Sequence, residues 1–181
     1  AIAEANAAAT KQAIANVLPS FENTEVSEQT VDDMPIKVYT AVNGGEKVGY
    51  AVESMTKNGF GGVIRMMVGF APDGQILNVN VLQQAETPGL GTKMADEDNA
   101  LLRSIKDKKA WEIEFKVKKD GGELDALTAA TISSRAYYDA VERAYRAYRV
   151  AAGFGDSADG VSGATATNAE GQQAQEGGQN E

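Results

Sequence analysis

Apolar positions recur along this chain with two different periods, and the switches between them mark its elements. Residues 1–17 are rich in alanine, with Ile2, Ile14, Val17 and Leu18 as larger apolar side chains. They predict a helix that stops before Pro19. From Ile36 the period becomes two. Ile36, Val38, Thr40 and Val42 alternate, Asn43-Gly44-Gly45 turns the chain, and Val48, Tyr50 and Val52 alternate again, which predicts a hairpin. A glycine-rich loop, Lys57-Asn58-Gly59-Phe60-Gly61-Gly62, comes next. Val63–Phe70, the turn Pro72-Asp73-Gly74 and Gln75–Leu82 then predict a second hairpin.

Pro88, Gly89 and Gly91 break the strand period and force a tight, irregular loop over residues 86–93. Asp98–Lys106 reads as a short helix with Leu101, Leu102 and Ile105 on its apolar face. Trp111, Ile113, Phe115 and Val117 alternate with Glu112, Glu114, Lys116 and Lys118, the pattern of a half-buried strand. After the turn Asp120-Gly121-Gly122 the period becomes helical. Tyr137, Val141, Ala144 and Tyr148 share one face, and Asp139/Arg143 and Glu142/Arg146 are acid-to-base pairs on others. Residues 153–181 show no period, and their five acids (Asp156, Asp159, Glu170, Glu176, Glu181) meet no Lys or Arg. The expectation is an N-terminal helix (1–18), one folded domain (19–152) and a disordered acidic tail (153–181). The fold class predicted is α+β, a twisted, mainly antiparallel sheet flanked by helices.

Composition narrows the chemistry. A hydrophobic content of 43% supports a real core, and a net charge of −9 argues against nucleic acid as a partner. The chain has no Cys and no His. That removes thiolate iron–sulfur clusters, the common haem ligations and nucleophilic catalysis by Cys or His. If this chain moves electrons, an organic cofactor carries them. The lack of Cys fits an exported protein. No apolar run of about 20 residues is present, so no membrane span is expected. The first helix reads either as an ordinary N-terminal helix or as the stub of a longer one.

The stretch with the most chemistry is residues 125–134, Asp-Ala-Leu-Thr-Ala-Ala-Thr-Ile-Ser-Ser. Thr131 to Ser134 fall at or beside the start of the last helix, where free N–H groups and the positive end of the helix dipole favour an anion. From the residues alone these hydroxyls either cap the helix or receive a phosphate. The glycine-rich loop at 59–62 and the loop at 86–93 are open in the same way, as plain turns or as ligand cradles.

The stretch resembles the flavinylation motif Asp-x-x-(Ser/Thr)-Gly-Ala-(Ser/Thr)-x-(Ser/Thr), in which the second hydroxyl residue carries FMN through a phosphoester. Asp125, Thr128, Ala129, Ala130, Thr131 and Ser133 fall at its positions, and Ala129 stands where the motif has Gly. The order Tyr50-Ala51, Gly59-Phe60-Gly61-Gly62, Val63–Gly69, Glu86-Thr87-Pro88-Gly89-Leu90-Gly91 and then Thr128–Thr131 resembles the FMN-binding domain family over about residues 1–150. Within it the chain is similar to the flavin subunits of Rnf-type ion-translocating oxidoreductases and of the sodium-translocating NADH:quinone oxidoreductases. The Glu86–Gly91 element favours the Rnf type.

The resemblance implies FMN bound covalently at Thr131, with Gly59, Gly61, Gly62, Glu86, Thr87, Gly89, Leu90, Gly91, Thr92 and Lys93 around it. It implies an electron-carrier subunit rather than an enzyme with its own substrate. Its partners would be the other subunits of a membrane redox complex, working between ferredoxin and NAD, and a flavin transferase. The domain would lie on the extracytoplasmic side of the inner membrane, and a chain without the family's N-terminal membrane helix would be a soluble truncation. The tail holds a second match, Asp159–Thr167, which includes the Gly and would place the acceptor at Thr165. A flavin needs walls around it, which favours Thr131. Two other readings stay open: a redox-silent exported binding module, and an enzyme using exchangeable FMN.

Overall fold

The computed structural model describes residues 2–154. The tail match around Thr165 and the expected disordered segment lie outside the described residues, apart from Gly153 and Phe154. The elements in chain order begin with α1 (Ile2–Val17) and β1 (Asn23–Val31). The strands β2 (Met34–Asn43), β3 (Glu46–Gly59), β4 (Gly62–Phe70) and β5 (Ile76–Gln83) follow. A short 3-10 turn (Gly91–Ala95), α2 (Ala100–Ile105) and α3 (Thr131–Ala151) complete the main architecture. The five strands form one antiparallel sheet in the order of the chain, so each strand pairs with its sequence neighbours. The fold is α+β, as the alternation of periods predicts.

The period of two sorts the side chains between the faces of the sheet. Ile36, Val38, Tyr50, Val52, Ile64, Met66, Val68 and Phe70 bury into the core beneath α3. Ala41, Ala51 and Met67 point the other way and pack with Ala13, Ile14, Val17 and Leu18 of α1 and the residue after it. Small residues on that face let α1 approach closely. A Cβ on Gly69 would overlap the Val17 carbonyl.

The helix α3 runs along the other face and is pinned by polar contacts that reach into the sheet. Ser54 Oγ donates to the Ala140 carbonyl (2.8 Å), and Thr56 Oγ1 donates to Asp139 Oδ2 (2.7 Å). Arg143 is 4% exposed. It donates to Asp139, to Asp32 and to the Met55 carbonyl, so its buried charge is both paired and hydrogen-bonded. Asp32 also receives Arg146. Asp32 and Asp33 form the β1–β2 turn with φ of 54° and 64°. Such backbone angles suit a tight hairpin turn and are tolerated by Asp better than by most residues.

Three elements differ from the expectation. The strand β1 was not predicted, because Asn23–Val31 carries only Val26 and Val31 as apolar residues. It is an edge strand with most side chains in solvent. The segment Lys57–Gly62 is not an open loop. The strands run into it, Gly59 pairs with Gly62, and only Phe60 and Gly61 turn the chain. Residues 111–117 form no ladder strand. They begin in a 3-10 turn (Ala110–Glu112), and their neighbourhood holds only isolated bridges, Gln75 with Lys109 and Val117 with Leu124. The alternation holds in burial from Glu112 to Val117, with Ile113 and Phe115 half-buried, Val117 buried and Glu112, Glu114 and Lys116 exposed, while Trp111 departs from it and is exposed. Alternation reports a covered side and an open side; it does not supply a neighbouring strand to accept the backbone bonds.

Two outcomes follow from this packing. Gly69→Val should destabilise the protein by about 1–3 kcal/mol through overpacking. Hydrogen exchange should locate the loss in faster exchange of α1 amides. Asp32 tests the tie between the turn and α3. Burial pushes its carboxyl up, but hydrogen bonding and the charges of Arg146 and Arg143 outweigh that and hold it below its ordinary 3.8. A carboxyl lowered in the native state adds stability at neutral pH that is lost as pH falls through the native value. Asp32→Asn should therefore be less stable than wild type at neutral pH in urea titrations, and the difference should shrink as the pH falls below 3.8.

Candidate functional site

Three segments meet at the end of the sheet where β3 turns into β4. They are the turn at Phe60-Gly61, the loop after β5 and the first turn of α3. Between them lies a cleft of about 420 Å³ lined by Phe60, Thr87, Leu90, Gly91, Ala129, Ala130, Thr131, Ile132 and Ser133. Its size falls within the range of small-molecule sites, about 300–1,000 Å³. Phe60 (67% exposed) and Ile132 (49%) are large apolar side chains left in solvent at its edge.

The floor of the cleft is built around Glu86, which is 4% exposed. Its Oε1 accepts from the Phe60 N–H (2.9 Å) and from Ser133 Oγ, and its Oε2 accepts from the Gly61 N–H (3.0 Å). One carboxylate thus joins all three segments. Glycines permit the close approach. A Cβ on Gly91 would fall 2.6 Å from Ser133 Oγ and 2.7 Å from Glu86 Cβ, and a Cβ on Gly61 would overlap the Ala85 carbonyl. A Cβ on Gly59 would come 3.0 Å from Glu86 Oε2.

Thr131 is the first residue of α3 and is half-buried. The position before it is Ala130, which makes no side-chain cap. The two serine hydroxyls of the turn are engaged elsewhere: Ser133 with Glu86, and Ser134 accepting from the Leu127 N–H and donating to the Ala130 carbonyl. The first turn of α3 therefore meets the cleft with a hydroxyl, a positive dipole end and no side-chain acceptor of its own. The donor set suits a phosphate, and the apolar edge suits a flat aromatic ring.

Of the residues expected around a flavin, Thr87, Leu90, Gly91, Ala129, Ala130, Thr131 and Ser133 line the cleft. Gly59, Gly61 and Glu86 lie against its floor. Gly62, Gly89, Thr92, Lys93 and Thr128 are outside the lining. Thr92 Oγ1 accepts from the Gly89 N–H and steadies that loop, while Lys93 and Thr128 are exposed. Asp125 is on a different surface. It lines a second depression with Arg103, Ser104, Lys108 and Lys118. The Lys118 ammonium, 2.7 Å away, holds its carboxyl below the ordinary value against a smaller opposing effect of burial.

Ile132 was not singled out by the sequence, and Phe60 only as part of its loop. Each carried a signal. Ile132 is a large apolar residue off the face that Tyr137, Val141, Ala144 and Tyr148 define, and Phe60 sits between glycines in a turn.

Ala129 adopts φ of 58°, in the left-handed region. A side chain there costs about 1–2 kcal/mol, and glycine avoids that cost. Ala129→Gly, which restores the residue of the flavinylation motif, should raise stability by about 1 kcal/mol after the loss of chain entropy is offset. Thermal unfolding of the two proteins measures it.

The region that carries this geometry is shared with known proteins. The profile of the FMN-binding domain matches residues 59–146, which contain every residue lining the cleft. The chain is 42% identical over 115 residues to the G subunit of the ion-translocating oxidoreductase complex of Shewanella amazonensis, covering 61% of this chain and 53% of that protein. It is 36% identical over 110 residues to the corresponding protein of Haemophilus influenzae (59% and 53%). It is 35% identical over 113 residues to that of Vibrio cholerae (61% and 54%). The chain thus spans about half the length of these relatives, which are subunits of multi-subunit complexes by name. Among the described residues no helix is long and apolar enough to cross a membrane. Residues 59–146, with their cleft between the β3–β4 turn and the start of α3, match the FMN-binding domain family.

Proposed function

We propose that this chain is the flavin-bearing part of an electron-carrier subunit in a membrane ion-translocating oxidoreductase of the Rnf type. FMN is attached to Thr131 through a phosphoester. The observation that carries the reading is the position of Thr131: a hydroxyl at the first turn of α3, opening on a ligand-sized cleft inside the FMN-binding match.

Each residue around the cleft has its own part. The Thr131 hydroxyl gives up its proton and supplies the oxygen of the ester, and a separate flavin transferase does the joining from an activated flavin nucleotide whose phosphoanhydride bond breaks as the ester forms, releasing the other nucleotide phosphate. The N-terminal N–H groups and dipole of α3 stabilise the phosphate charge. Leu90, Ile132 and Phe60 cover the apolar ring and keep water from it. The N–H groups of Glu86, Gly89, Leu90, Thr92 and Lys93 are engaged by acceptors within residues 84–92, so from this loop the Thr87 and Gly91 N–H groups, on residues that line the cleft, would favour negative charge on the ring. Bound FMN accepts and releases electrons, which the chain's own side chains do not do. Covalent attachment suits a carrier outside the cytoplasm, where a lost flavin is not easily replaced.

The partners are the other subunits of the complex, with electrons passing between ferredoxin and NAD through sites that this chain does not contain. Asp125 lines the second depression and not the cleft. Its part is recognition by the transferase, so Asp125→Ala should slow attachment without removing the acceptor.

Thr131→Val should abolish covalent flavin and leave the fold intact, because Val keeps the shape and loses the hydroxyl. Thr128→Val should retain attachment. The measurement is the mass of tryptic peptides after co-expression with the transferase. Residues 120–135 form one peptide, bracketed by Lys119 and Arg135, that contains Thr131 and excludes the tail. An FMN-sized increase on that peptide is expected. The same increase found only on the peptide that begins at Val150 would move the acceptor to Thr165. Flavin released into the supernatant by acid precipitation would favour an exchangeable cofactor, and colourless protein would favour a redox-silent module.

A further inference from the structure

We propose that Glu86 is a positioning residue for the flavin site: it sets the separation of the Phe60 turn and the Thr131 turn without being part of the cleft lining. The inference rests on the reading of Thr131 as the acceptor.

The balance of donors and acceptors around the carboxylate carries the assignment. Glu86 receives three hydrogens, from the Phe60 N–H, the Gly61 N–H and the Ser133 hydroxyl. Nothing in this arrangement asks it to donate. An ionised carboxylate is acceptor-only and fits; an amide of the same shape is not. In Glu86→Gln the –NH2 group must replace Oε1 or Oε2. At Oε2 it faces the Gly61 N–H, and at Oε1 it faces the Phe60 N–H. Either choice sets the amide N–H against a backbone N–H and takes the acceptor from that part-buried donor. The hydroxyl of Ser133 can turn to accept, but a backbone N–H cannot.

The consequence reaches the acceptor through two short covalent paths. Ser133 is two residues beyond Thr131 in the same helical turn, so the bond to Glu86 holds that turn in place. Phe60 is a wall of the cleft, and its own N–H is one of the three donors. Gly91 lies against both Ser133 and Glu86 at distances that admit no Cβ, so the third segment is locked to the same point. Loosening Glu86 lets the Phe60 wall and the acceptor turn move apart. A displacement of about 1 Å in such a site can cost about a hundredfold in rate.

A residue that only stabilised the fold would behave differently, and Asp139 provides the comparison. Further along α3 it accepts from Arg143 and from Thr56 of β3, and it bonds neither a lining residue of the cleft nor Glu86. The experiment co-expresses the chain with the flavin transferase. It compares wild type, Glu86→Gln, Ser133→Ala, the double variant and Asp139→Ala. Three quantities are read: thermal unfolding, the rate at which flavin mass appears on peptide 120–135, and the reduction potential of the bound flavin. Glu86→Gln should slow attachment by about tenfold or more and shift the potential of the flavin it does acquire. Ser133→Ala should slow it less, and the double variant should be no slower than Glu86→Gln, since both changes open the same contact. Asp139→Ala should lower the unfolding temperature and leave rate and potential unchanged.

Wild-type rate and potential in a folded Glu86→Gln protein would overturn the proposal. So would equal effects from Asp139→Ala. If Glu86→Gln does not fold, Ser133→Ala decides: wild-type rate and potential there refute the positioning role. The Thr131 reading is judged separately, by whether wild-type peptide 120–135 carries the flavin at all.

Discussion

A carboxylate taken out of water must be given its hydrogen bonds back, and in this fold that requirement assembles the site. Glu86 is buried at the point where the β3–β4 turn, the loop after β5 and α3 come together, and each of its three partners has its own place in the architecture. Leaving such a group unsatisfied costs several kcal/mol, more than a typical single contact contributes. The chain can satisfy it only by bringing residues 60, 61 and 133 to residue 86. The cleft is the space left over when that is done. The glycines at 61 and 91 are the means of close approach, since a Cβ at either would strike a neighbouring segment.

The rest of the molecule keeps those three segments rigid. The meander places the 60–61 turn at one end of the two central strands, β3 and β4, whose side chains are buried against helices on both faces. The helix α3 is amphipathic along its length and fixed by the Arg143–Asp139–Asp32 group, which also ties down the turn between β1 and β2. A helix held so firmly along its body can present its first turn to a ligand at little further entropic cost, which is the advantage of building a site on regular structure. The proposed electron-carrier role draws on this rigidity, because a carrier's partners must find its cofactor in one orientation.

Much of this was legible in the residues. The two periods separated sheet from helix, and the alternation read at Ile36 and Val38 and at Tyr50 and Val52 marks side chains that bury on one face of the sheet. The loops at 59–62 and 86–93 and the start of α3 were singled out by glycines, a proline and hydroxyls in a motif order. What was hidden depended on tertiary contacts. Asn23–Val31 pairs as a strand because the sheet offers it an edge, not because its sequence is apolar. Residues 111–117 alternate without pairing. The hydroxyl of Ser133 read as a cap or as part of a phosphate site; in the structure it lines the cleft and donates to Glu86, 47 positions away, a partner that the local stretch does not reveal. Asp125 belongs to the same motif as Thr131 but opens on another surface, a separation that spacing along the chain does not reveal.

A crystal structure of the chain after co-expression with its flavin transferase tests the proposed role most directly. Continuous density should run from Thr131 Oγ1 into a phosphate at the first turn of α3. A flavin ring should lie in the cleft against Phe60, Leu90 and Ile132, with Glu86 still bonded beneath it. An unmodified Thr131 in a protein that carries flavin elsewhere, or a ring lying outside the cleft, would contradict it.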